Sequence, residues 1–381
     1  MTSELITFIR ETFGVSSDFV PLHEPRFVGN ERKYVLDAID STFVSSVGKY
    51  VDKFEEMMCQ ITGAKHAVAV VNGTNALHLS LLLAGVEPGD EVLSQPLTFI
   101  ATANAISYCQ ATPHFVDVDK DTMGLSPSIL KNHLEEIAEM RDGKCFNKHT
   151  NKRIAACVPM HTFGLPLYID ELVEVCNRYN IPVIEDAAES LGSYYKQKHT
   201  GTFGLLGTFS FNGNKTVTSG GGGAIVTNDE ALAKRAKHLS TQAKIPHRWE
   251  YRHDEIAYNY RMPNLNAALA CAQLEQLDFY IENKRELSDK YYEFLKTNSQ
   301  IKLAREIKGA KSNYWLNAVI LEDRAQRDSF LKDTNEQGIM TRPIWELMNR
   351  LEMFENCPKS DLSNSEWLAD RVVNITSSVR I

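Results

Sequence analysis

Along residues 30–245, short apolar runs alternate with amphipathic stretches. The runs fall at 67–71, 91–95, 113–118, 154–159, 182–185, 205–211 and 223–227, short enough to read as strands, with helical patterns between them. This alternation predicts βαβ units, hence an α/β fold with a mainly parallel sheet covered by helices on both faces. After residue 246 the texture changes. Pro263 opens a long helical pattern to about 297; Tyr314–Leu321 reads as a strand, a helix is expected near 324–337, and another ends near Val373. The predicted organisation is a large domain over 1–245 and a smaller α+β domain over 246–381. Leu5, Ile9 and Phe13 fall at i, i+4, i+8 and predict an accessory helix belonging to the large domain, while the polar stretch 141–153 reads as a surface excursion.

With 381 residues, 43% hydrophobic and 24% charged, the whole chain is expected to fold. A net charge of −8 argues against a nucleic-acid partner, so any anionic ligand must meet local donors. Seven cysteines, none in a Cys-x-x-Cys pair, read as reduced core thiols. Met1–Arg10 carries neither a secretory signal nor a membrane span, so a cytoplasmic protein with no membrane partner is expected. Eleven histidines form no metal-ligand spacing, and no metal is expected.

Three segments carry candidate chemistry. Asn72-Gly73-Thr74 follows a strand and opens an apolar helix, where backbone N–H groups and the helix dipole can hold phosphate; an ordinary N-cap has the same pattern. Asp186 ends the run Pro182–Glu185, at a strand end of the kind that gathers ligands, with Glu185 and Glu189 as rival acids. Lys215 follows Ser210-Phe211-Asn212-Gly213-Asn214 and precedes Gly220–Gly223. An acid at a buried strand end can keep a pyridine nitrogen protonated, and a lysine on a later turn can form a Schiff base, a layout pointing to pyridoxal 5′-phosphate. The competing reading of Lys215 is a solvated loop lysine. His161, just after a strand, is either a cleft residue or a satisfied loop histidine.

Taken in order, Asn72–Leu77, Pro96–Asn104, Phe115–Asp119, Glu185–Ala188, Ser210–Gly223 and Asn259–Met262 resemble the DegT/DnrJ/EryC1/StrS sugar-nucleotide aminotransferases over nearly the whole chain. The resemblance implies the pyridoxal-phosphate-dependent transferase fold type I, like aspartate aminotransferase, and a homodimer with shared active sites. It implies that Lys215 anchors the cofactor, Asp186 partners the ring nitrogen, and Phe99 stacks on the ring. Gly73, Thr74 and Ser210 match the phosphate cup, Asn259 a residue reaching the phosphate from the other subunit, and Glu189 the position near the phenolic oxygen. The chain departs from many relatives at Asn212, where they have His, and at Gly221, where they have Glu.

The wording Pro21–Pro25, Ser41–Gly48, Phe211–Lys215 and Thr341–Trp345 resembles a subgroup of legionaminic-acid and bacillosamine-type sugar synthesis. That implies amination by L-glutamate at C4 of UDP-2-acetamido-2,6-dideoxy-4-keto-glucose. His161, Arg342 and Arg26 are the candidate substrate-binding residues, the arginines as donors to the diphosphate. Two alternatives share the fold. A sugar dehydratase replaces the lysine, and a non-catalytic regulator is expected to lose Lys215 or Asp186.

Overall fold

In the computed structural model, which describes residues 2–298 and 300–381, the apolar runs become one central sheet. Its strands run in the order His66–Val70, Gly223–Thr227, Leu206–Ser210, Ile184–Asp186, Lys152–Val158, Glu91–Ser94, Thr112–Phe115, with Cys157 and Val183 bridging the two halves. From Leu206–Ser210 to Thr112–Phe115 every neighbour is parallel. Gly223–Thr227 runs antiparallel to both of its neighbours. The carboxyl ends of the parallel strands therefore gather along one edge, where ligands of open α/β sheets bind.

Alternation along the strands feeds two cores. Ala224 and Val226 pack with Phe54, Met58, Phe209 and Ala268 on one face, whereas Ile225 packs with Val68, Leu77, Leu79 and Ile184 on the other. Helix Gly73–Leu83 covers the second face; Lys49–Thr62 and Asn264–Leu274 cover the first. Asn264–Leu274 lies beyond the expected domain boundary at 245, yet it shares the core of the large sheet.

An antiparallel sheet in the order Lys302–Leu303, Asn317–Ile320, Val372–Ile375, Arg342–Pro343 forms the C-terminal module. Leu5 and Ile9 of helix Thr2–Phe13 pack there with Tyr291, Val319, Phe330 and Val373, not on the large sheet. Three details differ from expectation. The pattern 263–297 is two helices, Asn264–Leu274 and Leu277–Leu295, and at the break Glu275 accepts hydrogen bonds from Asn30, Tyr34 and Lys53. Val373 lies in a strand, because helix Ser363–Ala369 ends earlier and the β-branched pair Val372-Val373 suits a ladder. The polar stretch after 137 holds a hairpin, Ala138–Arg141 with Lys144–Asn147, whose turn places Asp142 and Gly143 at φ 49° and 76°, as a type I′ turn requires. Among the described residues no helix is long and apolar enough to cross a membrane.

Candidate active site

A cavity of about 310 Å³ opens at the carboxyl edge of the sheet. Three elements build one wall. Asn72 caps helix Gly73–Leu83, its side chain accepting from the Asn75 N–H at 2.8 Å, which leaves the first amides of that helix facing the cavity. Ser210 closes the adjacent strand opposite Gly223. A Cβ on Gly73 would lie 2.8 Å from Ser210 Cβ, so only glycine allows the helix start to approach the hydroxyl so closely. The glycines after the lysine are not equivalent. A Cβ at Gly223 would meet the Asn72 backbone at 2.5 Å and one at Gly222 would meet Ser219 Oγ at 2.3 Å, but at Gly221 the nearest atom is 3.9 Å away.

Asp186 and Glu189 line the cavity, while Glu185 points away. Glu185 accepts from the amides of Gly201, Phe203 and Gly204 and lies 3.0 Å from His161 Nε2. Loop 201–204 thus absorbs Glu185, and Asp186 and Glu189 are the two acids left facing the cavity. Asp186 accepts from Thr102 Oγ1 at 2.7 Å and from the Ala188 N–H at 3.2 Å. Burial raises its pKa, against the pull of those bonds and of Lys215 and His161. Glu189 is pushed up to about 7, again chiefly by burial, with Lys215 and the Phe163 amide pulling the other way.

Lys215 reaches into the cavity with Nζ 3.2 Å from Glu189 Oε1 and 4.1 Å from the centre of the Trp315 ring. Phe99 also lines the cavity, 48% exposed, its ring 6.2 Å from that of Trp345. A half-exposed phenyl, a buried carboxylate, a lysine and a helix N-terminus with a hydroxyl beside it form a set that fits a phosphorylated aldehyde with a protonated ring nitrogen, such as pyridoxal phosphate.

Four candidates stand elsewhere. His161 is fully buried behind the cavity wall, between Glu185 and the Leu167 N–H, so it does not line the cleft as a substrate contact. Arg26 pairs with Glu24 at 2.6 Å and donates to the Val379 carbonyl. Arg342 lies exposed on the edge strand of the C-terminal sheet, donating to Asn335 Oδ1 and the Thr341 carbonyl. Asn259 is exposed and accepts from Arg261, outside the cavity of its own chain. The residues that sequence reasoning missed are Trp315 and Trp345, which bring aromatic faces from the C-terminal module. Both stand inside segments quoted above, but nothing local marks a tryptophan in such a run as cleft rather than core.

The DegT/DnrJ/EryC1/StrS aminotransferase family model matches residues 25–381. A GDP-perosamine synthase of Escherichia coli O157:H7 is 40% identical over 360 residues, covering 94% of this chain and 93% of that protein. EpsN of Bacillus subtilis (strain 168), assigned as a pyridoxal phosphate-dependent aminotransferase, is 38% identical over 334 residues, 88% of this chain and 83% of that one. Among solved structures, the aminotransferase TlmJ from Streptoalloteichus hindustanus superposes with a TM-score of 0.85 at 24% identity, covering 94% of this chain and 93% of that one, and so shares the fold.

Proposed function

The chain belongs to the DegT/DnrJ/EryC1/StrS aminotransferase family, whose members are pyridoxal-phosphate-dependent, and from that premise we propose that it moves an amino group from L-glutamate to C4 of a nucleotide-linked 4-keto-6-deoxy sugar. The observation that carries this reading is the meeting of Lys215, Glu189 and Asp186 in one cavity with the Gly73–Thr74 helix start and Ser210. Pyridoxal phosphate, when bound, supplies an electron sink for the carbon that loses a proton. The remaining work falls to the chain. The Gly73 and Thr74 amides and the Ser210 hydroxyl offer donors to a phosphate, supplying locally what a chain of net charge −8 lacks globally. Asp186, a buried carboxylate, would stabilise a protonated ring nitrogen, and Phe99 would supply an aromatic face to the ring. Lys215 is the attachment point and, once free as an amine, moves the proton between the cofactor C4′ and the sugar C4. Glu189 holds that amine at 3.2 Å and would, as the family resemblance implies, also serve the phenolic oxygen.

For the acceptor we infer UDP-2-acetamido-2,6-dideoxy-4-keto-glucose, supported by the segments Phe211–Lys215 and Thr341–Trp345. The second reading is a GDP-linked sugar, favoured by the 40% identity to a GDP-perosamine synthase. The retained Lys215 speaks against a dehydratase, and Lys215 with Asp186 against a regulator without cofactor. We place the enzyme in the cytoplasm as a homodimer in which Asn259 reaches the partner's phosphate. Large apolar side chains are left exposed at Phe43, Val47, Trp249 and Ile256, and Arg26 and Arg342 remain our candidate diphosphate donors.

Purified protein incubated with L-glutamate and a panel of UDP-, GDP- and dTDP-linked 4-keto sugars tests the proposal. The expected result is a 4-amino sugar and an equal amount of 2-oxoglutarate with the UDP-linked acetamido sugar. Amination of only a GDP-linked sugar would overturn the acceptor and keep the reaction; loss of a hydroxyl without amination would overturn the reaction.

A further inference from the structure

Trp315 is held with unusual thoroughness for a cleft residue. Its indole Nε1–H donates to the Asn214 carbonyl at 2.6 Å, directly before Lys215. Its main-chain N–H donates to Asn313 Oδ1 at 2.8 Å, and Asn313 in turn donates to the carbonyls of Glu189 and Leu191. Its carbonyl accepts from Lys284 Nζ at 3.1 Å. Lys284 is fully buried, and the other acceptor it meets is the Ser377 carbonyl at 2.6 Å. The preceding Tyr314 adopts φ 46°, a left-handed conformation that a bulky residue keeps only where its surroundings enforce it. A buried lysine and a strained backbone are thus committed to setting one indole face 4.1 Å from one amine.

Taking Lys215 as the attachment point, as proposed above, we infer that Trp315 is its positioning residue: the indole face receives the Lys215 amine whenever it is free and cationic, and holds it beside Glu189 for its return. The attraction of an ammonium to an indole face favours the charged amine and restricts where it rests. Other charged or titratable groups acting on Lys215 are Glu189 at 3.2 Å, Asp186, and His23 from the N-terminal segment. A filler role for Trp315 requires only its volume; the positioning role requires its π face.

Apoprotein is incubated with pyridoxal phosphate and cyanoborohydride across a pH series, and labelling of the Lys215 peptide is followed by mass. The amine attacks the aldehyde carbon, water leaves, and hydride reduces the C=N bond, so that only uncharged amine is captured. In Trp315→Leu the rising limb of capture should move to lower pH, with labelling at a fixed pH on that limb about two- to fivefold faster than wild type. Trp315→Phe, which keeps an aromatic face, should stay within about twofold. Ring-fluorinated tryptophan, which drains the π face at constant shape, should shift the limb in the same direction as Leu and keeps the test valid where Leu disturbs folding. An unmoved limb with fluorinated tryptophan overturns the inference. Wild-type labelling at a lysine other than Lys215 overturns the reading of Lys215 instead.

Discussion

Glu189 sends its two carboxylate oxygens in opposite directions, Oε1 to the Lys215 ammonium at 3.2 Å and Oε2 to the Phe163 N–H at 2.9 Å. Phe163 sits at φ 58°, so the acid ties the lysine to a strained turn. In the folded apoprotein its proton is held up to about pH 7, against an ordinary value of 4.5. Between those values the folded state binds more protons than the unfolded one, so this group's contribution to stability is fully present below 4.5 and lost as pH rises through about 7. Glu189→Gln should flatten that fall by up to about 3 kcal/mol. Urea unfolding of apoprotein at pH 5 and pH 8 checks it; equal slopes in both proteins would refute it.

Lys284 gives the opposite sign. Burial lowers it to about 7 from 10.5, so its contribution is fully present above 10.5 and lost as pH falls through about 7. Lys284→Met should therefore destabilise more at pH 9.5 than at pH 6.5, by on the order of 3 kcal/mol, as read from denaturant midpoints. A pH-independent difference would mean that the ammonium stays charged in the fold.

Lys215→Ala should reduce turnover by at least about a thousandfold, because proton transfer at the reacting carbon loses its base. The thermal midpoint of the apoprotein should move little near pH 6, where Glu189 takes up a proton once its partner is gone and the lysine leaves only cavity space behind. Calorimetry beside a coupled 2-oxoglutarate assay separates the two effects.

Gly73→Ala forces a methyl to 2.8 Å from Ser210 Cβ. The helix start must retreat from the hydroxyl, at a cost of about 1–3 kcal/mol. Affinity for pyridoxal phosphate should fall at least tenfold while the central sheet persists, measured by absorbance titration and circular dichroism.

Mixing Lys215→Ala with a strongly impaired Asn259 variant should restore part of the activity, because a shared dimer site can contain neither lesion. Full activity from a monomer in sedimentation would refute the shared site.

Much of the scaffold was legible because the strands of the large sheet are short apolar runs set between amphipathic helices, and Gly223–Thr227 splits its side chains between two cores. The sheet was also expected to be mainly parallel; one strand, Gly223–Thr227, reverses at both edges, and nothing in its composition encodes direction. Asp186 and Lys215 could be singled out because strand ends and glycine-rich turns leave local marks. His161 could not be placed, since its partner Glu185 lies on another strand and alternation says nothing about contacts across the sheet. The two tryptophans failed for the same reason: their role is set by where the C-terminal module meets the cavity. The hairpin after residue 137 escaped because its strands are short and largely polar, although Asp142-Gly143 was a readable turn signal.

The uneven room along Gly220–Gly223 makes this turn a natural attachment site for a reporter. At Gly221 a side chain meets nothing closer than 3.9 Å, at 222 it must push aside the Ser219 and Met262 side chains, and at 223 it runs into the Asn72 backbone. A cysteine at 221 carrying a small environment-sensitive dye would ride between Lys215 and the strand that backs Asn72. Its emission could then follow cofactor arrival and departure in real time, in a protein whose native cysteines are mostly buried and slow to compete for the label.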